Sequence, residues 1–178
     1  MTNYFSEISR SMEEISKSDS SIFIGQAVAV AGTAMRNTLV NIPQHKLIEF
    51  PVDEDVQLGF SIGLSLAGFT PISIFPRWNF LLLATNQIVN HLDKLKELSG
   101  SNSSSKVIIR TGIGSEKPLH PGPQHTGDFS EAFKLMCRNL EVIKLEKLSD
   151  IYDKYMYAFS REDGISTLFV ENMDLYNQ

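Results

Sequence analysis

Six short apolar runs alternate with longer segments of helical spacing, and this alternation constrains the fold more than any other feature of the chain. The runs lie at 21–25, 46–49, 70–75, 106–111, 140–145 and 167–171. Helical patterns occupy about 54–67, 78–98, 129–138 and 148–159. Buried strands that alternate with helices are typical of parallel βαβ units. We therefore predict an α/β fold with a central, mostly parallel sheet of about six strands.

The segment before the first strand has the spacing of an amphipathic helix. Residues 4–17 place Phe5, Ile8, Met12 and Ile15 on one stripe, as expected for a helix that packs on the domain. No internal repeat or shift in composition divides the 178 residues. We therefore predict a single domain over 1–178.

Composition and charge argue against several classes of partner. The formal net charge is −5, which disfavours sequence-independent binding to nucleic acid. A lone cysteine, Cys137, allows no intramolecular disulfide and no cysteine-based metal cluster. No stretch approaches the ~20 apolar residues that span a bilayer, and the N-terminus has no apolar signal core. We expect no nucleic-acid or membrane partner and a cytoplasmic location.

Two polar segments interrupt the alternation of strands and helices. Residues 99–105 form a serine-rich loop, and residues 112–128 form a long loop rich in glycine and proline. The second loop follows a predicted parallel strand, where open α/β sheets bind ligands. It carries His120 and His125, which could transfer protons near neutral pH. A solvated loop histidine is the simpler interpretation of each, and two histidines without a third ligand are a weak metal signal.

The helix after the second strand begins with acidic residues. Asp53 is a candidate N-cap, and Glu54 in the first turn would complement the positive end of the helix dipole. From the residues alone, this is the simpler interpretation of Glu54. Small residues recur every fourth position at Gly59, Gly63 and Ala67. They allow close packing against another helix or subunit, or ordinary packing inside the domain.

The sequence Phe-Pro-Arg-Trp-Asn-Phe at 75–80 closes one strand and opens the next helix. Its aromatic residues could stack on a flat heterocycle, or they could be ordinary core residues. The chain has no Walker lysine loop, no Gly-x-Gly-x-x-Gly after the first strand and no Gly-x-Ser-x-Gly elbow. A phosphorylated cofactor would therefore need another group to hold its phosphates.

Taken in order, these segments resemble the beta subunit of 2-oxo-acid dehydrogenase decarboxylases and, less closely, the central domain of transketolase. The ordered series is more specific than any one of its members, and it covers roughly residues 20–176. The matching segments are Phe-Pro-Val-Asp-Glu at 50–54, the glycine-containing segment at 59–72, Phe-Pro-Arg-Trp-Asn-Phe at 75–80, Asn-Gln-Ile-Val-Asn at 86–90, Val-Ile-Ile-Arg at 107–110, Gly-Pro-Gln-His-Thr at 122–126 and Leu-Phe-Val-Glu-Asn at 168–172.

The resemblance implies a three-layer fold that binds thiamine diphosphate. In that family the residue matching Glu54 contacts the aminopyrimidine ring, the one matching Phe80 stacks on it, and the one matching His125 faces the substrate. A carboxyl group hydrogen-bonded to a ring nitrogen favours the imino tautomer, which removes the thiazolium proton. On the same resemblance we predict that Pro76 and Trp78 also contact the cofactor. We predict, less directly, that His120 and Gln124 contact the substrate.

The sequence also departs from the family. The diphosphate motif Gly-Asp-Gly with a downstream asparagine is missing, since Gly127-Asp128-Phe129 lacks the second glycine. We therefore expect a separate subunit to bind the diphosphate and magnesium. Beta subunits normally continue into a C-terminal domain, and its absence favours a stand-alone decarboxylase, ligase or transketolase-like enzyme. The segment 115–121 does not match the family's glycine-rich loop closely, which leaves the substrate open.

We expect the pyrimidine-binding subunit of a split thiamine-diphosphate enzyme that cleaves or forms a carbon–carbon bond next to a carbonyl. The reaction would be 2-oxo-acid decarboxylation, acyloin formation or ketol transfer on a small carbonyl or 2-oxo-acid substrate. The expected assembly contains two copies of this chain and two of the diphosphate-binding subunit. The alternatives are a non-catalytic assembly or regulatory subunit that retains the fold, and a nucleotide-binding flavodoxin-like module.

Overall fold

A central parallel sheet organises the molecule in the computed structural model, which describes residues 2–99, 105–114 and 120–177. Six strands pair in parallel in the order β2-β1-β3-β4-β6-β5. The prediction of an α/β fold with a parallel sheet of six strands is confirmed. The strands are β1 (Ser21–Gly25), β2 (Leu47–Glu49), β3 (Thr70–Ile74), β4 (Ile108–Ile113), β5 (Leu140–Leu145) and β6 (Ser166–Asn172).

The described residues also form six α-helices and several shorter helical turns, most of which connect the strands. The α-helices are α1 (Tyr4–Ser16), α2 (Glu54–Leu66), α3 (Trp78–Leu81), α4 (Leu95–Leu98), α5 (Ser130–Met136) and α6 (Ile151–Ser160). The 3-10 turns are Met35–Leu39, Gln44–Lys46, Leu82–Ala84, Pro123–His125, Leu148–Asp150 and Met173–Asn177, and Gln87–Leu92 is a π-helix.

Helices cover both faces of the sheet. Successive residues of a strand point to opposite faces, and the buried strands have apolar residues on both, so each face must be covered. Ile108 and Phe169 belong to a core that contains residues of α1 and α6. Their sequence neighbours Ile109 and Leu168 belong to a second core with residues of α2, α3 and α5. Burial of each such side chain contributes about 1.5–3 kcal/mol. The result is the predicted three-layer arrangement.

The N-terminal helix α1 packs on the first of these cores. The side chain of Asn3 accepts a hydrogen bond from the Ser6 amide in a capping box that starts the helix. The Tyr4 hydroxyl then donates to the Leu145 carbonyl over 2.8 Å and accepts from the Asn172 amide over 2.9 Å. These bonds fix α1 at the carboxyl ends of β5 and β6.

The prediction of one continuous helix over 78–98 is wrong. The segment instead consists of α3, a 3-10 turn, a π-helix and α4. The amide of Asp93 bonds to the Ile88 carbonyl, which is a π-type spacing. The buried Asp93 carboxylate accepts from the amides of Arg138 and Asn139 over 2.7 and 2.6 Å. This attachment to the chain before β5 explains why tertiary contacts override the regular helical pattern.

A buried ion pair joins the two strands at the middle of the first core. Arg110 on β4 and Glu171 on β6 are both fully buried, and two hydrogen bonds of 2.6 and 3.0 Å link them. The hydroxyls of Tyr155 and Tyr176 donate to the same carboxylate. Such a pair needs these extra donors, because a buried charge is costly unless its hydrogen bonds are made.

Within the described ranges, no helix has the length and apolar character that a membrane crossing requires. The same residues contain no group of three or more His, Cys, Asp or Glu side chains that could hold a metal ion. Residues 100–104 of the predicted serine-rich loop and 115–119 of the predicted glycine- and proline-rich loop lie outside the described residues.

Candidate functional site

A pocket of about 580 Å³ lies at the carboxyl ends of β1, β2 and β3. From β1 the chain crosses to β2 at one edge of the sheet, whereas β3 leads towards β4 in the other direction. Open α/β sheets bind ligands at such a change of direction. The residues that line the pocket are Gln26, Ala27, Gly32, Thr33, Ala34, Glu49, Phe50, Pro51, Val52, Pro76, Arg77, Phe80 and Met173.

Glu54 lies beside this pocket at the first position of α2. The Asp53 carboxylate accepts a hydrogen bond from the Val56 amide over 3.1 Å, so Asp53 caps the helix as predicted. Glu54 is only 4% exposed, and its Oε1 accepts from Gln26 Nε2 over 3.1 Å. Because complementing a helix dipole requires no burial, the dipole alone does not explain this placement. Gln26, which lines the pocket, connects the carboxyl group to the pocket wall.

Phe80 and Pro76 form an apolar part of the pocket wall. Pro76 follows β3 by two residues, and Phe80 lies in α3. The Phe80 ring also contacts the His125 ring, with 5.9 Å between centroids and 41° between planes. The structure therefore places Phe80 and Pro76 at the pocket, and His125 beside Phe80.

Trp78 does not join them, although it belongs to the same sequence motif. It is 1% exposed and packs in the second core. Its ring lies 5.1 Å from that of Phe133 and 6.1 Å from that of Phe129, centroid to centroid. The physical reason is the first turn of α3, which turns Trp78 towards the sheet. The predicted cofactor contact of Trp78 is not supported by this position.

Two side chains hold His125 beside Phe80: Asn79 of α3 and Arg77 of the β3–α3 connection. His125 Nδ1 lies 3.0 Å from Asn79 Oδ1. Arg77 Nη1 donates to the carbonyls of Gly114 and His125 over 2.9 and 3.2 Å. Partial burial lowers the pKa of the Arg77 guanidinium, and the charge of Asp174 opposes that shift. The loop segments on either side of 115–119 are thus attached to one side chain.

The two predicted substrate residues lie farther out on the same loop. His120 and Gln124 are both exposed, and neither is among the described residues that line the pocket. His120 Nδ1 accepts a hydrogen bond from the Gly122 amide over 3.0 Å. The structure therefore places Pro76 and Phe80 on the pocket wall. Glu54 and His125 each contact a residue of that wall, Gln26 and Phe80 respectively, whereas His120 and Gln124 are exposed on the loop.

The site fits a flat heteroaromatic ring that carries polar groups. Its volume lies within the roughly 300–1,000 Å³ that is usual for small-molecule sites. Pro76 and Phe80 offer an apolar surface on which a ring could stack. The amide of Gln26 lies at the adjoining wall and bonds to the buried carboxyl of Glu54, so this side of the site offers polar groups that could bond to ring nitrogens or an amino group.

Comparison with known proteins identifies the relatives of this chain. No family model matches the sequence. The pyruvate dehydrogenase E1 component subunit beta of Gracilaria tenuistipitata var. liui is 28% identical over 97% of this chain and 53% of its own length. The mitochondrial counterpart of Caenorhabditis elegans is 27% identical over 93% of this chain and 47% of its own length. The chain is a homologue of these beta subunits. It spans about half the length of the curated relatives that it matches.

A solved structure has the same fold as this chain. A split-gene transketolase, solved as an inactive beta4 tetramer, superposes with a TM-score of 0.65 over 93% of this chain and 49% of that chain. The sequence identity is 13%, so the similarity establishes the fold alone. This chain therefore has a transketolase-like fold.

Three polar residues near the pocket of this chain were not predicted from the sequence. Gln26 directly follows β1, and its place at the carboxyl end of a parallel strand was an available signal. Arg77 and Asn79 lie inside the segment 75–80, where the sequence suggested a role in binding only for the aromatic residues. Their partners in the loop are 48 and 46 residues away in sequence, so no local pattern could have indicated these contacts.

Glu49 of this chain was not predicted either, and it shapes the pocket by holding the backbone after β1. Its carboxylate accepts hydrogen bonds of 2.6, 3.0 and 2.8 Å from the amides of Ala27, Val28 and Ala29. Consecutive amides that converge on one anion form a nest. Ala27 has φ of 50°, a left-handed conformation that is uncommon outside glycine. Glu49 thus fixes the loop after β1 from the end of β2.

Proposed function

We propose that this chain is the pyrimidine-binding subunit of a thiamine-diphosphate enzyme. The observation that supports this most is the buried Glu54 carboxyl group, which Gln26 links to a pocket at the change of direction in the sheet. The aminopyrimidine ring would stack against Pro76 and Phe80. Homology to the pyruvate dehydrogenase beta subunits gives independent support.

In this proposal Glu54 holds a proton at its carboxyl group and shares it with a pyrimidine ring nitrogen. A side chain that exchanges a proton with a reacting group contributes typically ~10²–10⁴-fold to rate. Gln26 would keep the carboxyl group oriented through its amide. Bound thiamine diphosphate supplies a nucleophilic carbon and an electron sink for cleaving or forming a carbon–carbon bond.

A second subunit would bind the diphosphate and the magnesium. Asp128, the acidic residue of the incomplete Gly-Asp-Gly motif, pairs with Lys144 over 2.8 Å and accepts from the Ser130 amide over 3.0 Å. It is therefore engaged in local structure. This observation supports a split site, with this chain supplying the pyrimidine side.

The face of α2 that points to solvent is the proposed contact with other subunits. Val56, Phe60 and Gly63 lie on one side of the helix at a spacing of four and then three residues, and all three are exposed. Val56 is 52% and Phe60 46% exposed. Apolar side chains next to a glycine suit close packing of another helix. We place two copies of each subunit in the complete enzyme.

The reaction class is cleavage or formation of a carbon–carbon bond next to a carbonyl in a small 2-oxo acid or related substrate. This covers 2-oxo-acid decarboxylation, acyloin formation and ketol transfer. The names of the relatives support the first of these, since they are components of pyruvate dehydrogenase. A non-catalytic subunit with the same fold is the competing interpretation, and it requires neither Glu54 nor Phe80 at the pocket.

Calorimetry with thiamine diphosphate and magnesium tests the proposal. The chain is measured alone and after co-expression with a candidate diphosphate-binding subunit that carries Gly-Asp-Gly and a downstream asparagine. We expect no micromolar binding by the chain alone and clear binding by the complex, which Glu54→Gln retains while turnover falls. Micromolar binding by the isolated chain would contradict the split site. A complex that binds the cofactor and turns over equally well with Glu54→Gln would favour the non-catalytic interpretation.

A further inference from the structure

The imidazole of His125 is held from one side by a single amide. Asn79 Oδ1 lies 3.0 Å from His125 Nδ1. An amide oxygen can only accept a hydrogen bond, so in this arrangement Nδ1 carries the proton and donates it. In the neutral imidazole the other ring nitrogen, Nε2, then keeps its lone pair. The partner of one histidine nitrogen sets the protonation of the other in this way.

Asn79 is well placed to act as a fixed acceptor. It lies in α3 between Trp78, which is anchored in the second core, and Phe80, which lines the pocket. The core contact of Trp78 with Phe133 leaves α3 little freedom to move. Asn79 and His125 are both only partly exposed, so water competes less for the hydrogen bond than it would at the surface.

The same short segment contacts His125 at two further points. Arg77 Nη1 donates to the His125 carbonyl over 3.2 Å. The Phe80 ring lies against the imidazole, with centroids 5.9 Å apart. Arg77 thus holds the backbone, Phe80 limits the tilt of the ring, and Asn79 bonds to Nδ1. Of these contacts, only the one made by Asn79 distinguishes the two ring nitrogens.

We propose that Asn79 is the positioning residue that fixes the His125 imidazole, with Nδ1 as the hydrogen-bond donor and Nε2 as the nitrogen that meets the substrate. The part that concerns the substrate rests on the proposed function, whereas the part that concerns the ring does not. In the reaction Nε2 takes up a proton from a substrate hydroxyl group and later returns it. Nδ1–H stays bonded to Asn79 throughout.

Nitrogen NMR on the chain labelled with ¹⁵N-histidine tests the ring assignment without any partner subunit. The chain has four histidines, and the signal lost in His125→Gln identifies the one of interest. In the parent chain we expect neutral His125 as the Nδ1–H tautomer. Asn79→Leu removes the acceptor at similar size and should shift the population to the Nε2–H form. Asn79→Asp restores an acceptor and should restore the Nδ1–H form.

Asn90→Leu is the matched control, because Asn90 is an exposed helical asparagine whose amide bonds to Asn86 over 2.9 Å. It should leave the His125 signal unchanged. An Nε2–H tautomer in the parent chain would overturn the assignment. So would an unchanged tautomer in a folded Asn79→Leu variant.

Steady-state kinetics of the reconstituted enzyme tests the part of the proposal that concerns the substrate. Loss of the partner that orients a metal-ligating histidine typically costs about tenfold to a hundredfold in metal affinity or activity, and we expect a similar factor here. Asn79→Leu should lower kcat by about this factor with little change in KM, and Asn79→Asp should recover most of the loss. An unchanged kcat in Asn79→Leu would overturn this part. If the parent complex bound no thiamine diphosphate, the proposed function would fail while the NMR result would still decide the role of Asn79.

Discussion

The amide of Gln26 donates a hydrogen bond of 3.1 Å to the carboxyl group of Glu54. This bond joins the end of β1 to the first turn of α2, over a separation of 28 residues in sequence. The donor is neutral, so it orients the carboxyl group without pairing it with a positive charge. Gln26 also lines the pocket, so this bond connects the buried carboxyl group to the pocket wall.

Replacing Glu54 with glutamine should separate a catalytic carboxyl group from a structural one. The amide nearly matches the carboxyl group in shape, so the fold should persist. It cannot share a proton with a ring nitrogen in the same way, and thiazolium proton–deuterium exchange in the reconstituted enzyme should slow by about 10²–10⁴-fold. Exchange and melting temperature are measured on the same sample.

Asp55→Asn is the control for this experiment, since Asp55 lies in the same first turn of α2. It should cost a few tenths to about 1 kcal/mol of stability and leave exchange nearly intact. If Glu54→Gln behaved in the same way as Asp55→Asn, Glu54 would be a helix-terminus residue and nothing more.

Shortening the aromatic wall should weaken cofactor binding. Phe80→Leu keeps an apolar side chain but removes the ring, and aromatic pairs contribute about 0.5–1.5 kcal/mol beyond area burial. We therefore expect about twofold to tenfold weaker binding of thiamine diphosphate by the complex, measured by calorimetry. Phe69→Leu, a partly exposed site after α2, should leave affinity unchanged. Equal affinities for Phe80→Leu and the parent would argue against stacking on this residue.

The strands could be predicted well because buried parallel strands appear as unbroken apolar runs. The predicted strands at 21–25 and 140–145 agree with β1 and β5 to the residue. The interruption of 78–98 could not be predicted, because its cause is distant in sequence. Asp93 bonds to the amides of Arg138 and Asn139, about 45 residues away. A helical pattern alone contains no record of that contact.

The site was predictable only in part, for a related reason. Trp78 and Phe80 look equivalent in sequence, yet the first is in the core and the second lines the pocket. Two residues along a helix correspond to a rotation of more than half a turn, and the sequence does not say which residue faces the sheet. The position of Gln26 after β1 was an available signal, but its bond to Glu54, 28 residues away, could not be predicted. The contact of Asn79 with His125, 46 residues away, could not be predicted either.

High pH should unfold the chain through the tyrosines around Glu171. Burial, and next the charge of Glu171, raise the pKa of Tyr155 and of Tyr176 well above the ordinary value. When the folded pKa exceeds the unfolded one, stability is complete below the unfolded pKa of about 10 and falls as the pH rises beyond it. We expect the tyrosinate absorbance of these residues to appear together with loss of the circular-dichroism signal.

Tyr157→Phe serves as the comparison for this titration, because Tyr157 is 52% exposed and lies outside the buried cluster. That variant should unfold at the same alkaline pH as the parent. Ionisation of Tyr155 and Tyr176 in a chain that keeps its native circular dichroism would contradict the role of burial.

Gly63 offers the sharpest test of the proposed subunit contact on α2. It is exposed, and a Cβ added there would meet nothing within 4 Å in the described residues. Alanine is more favourable than glycine inside a helix by about 1 kcal/mol. Gly63→Ala should therefore raise the melting temperature of the isolated chain, whereas Gly63→Trp should leave its fold intact.

The two variants should diverge when the partner subunit is present. Val56 and Phe60 continue the exposed face of α2 beside Gly63, and a helix that packs there must approach the backbone closely. Alanine adds one methyl group and should still permit the complex of two copies of each subunit. Tryptophan fills the space that the opposing helix needs, so light scattering on co-purified material should show the complex lost or reduced to smaller species. A Gly63→Trp chain that still forms the full complex would place the interface on another face of the molecule.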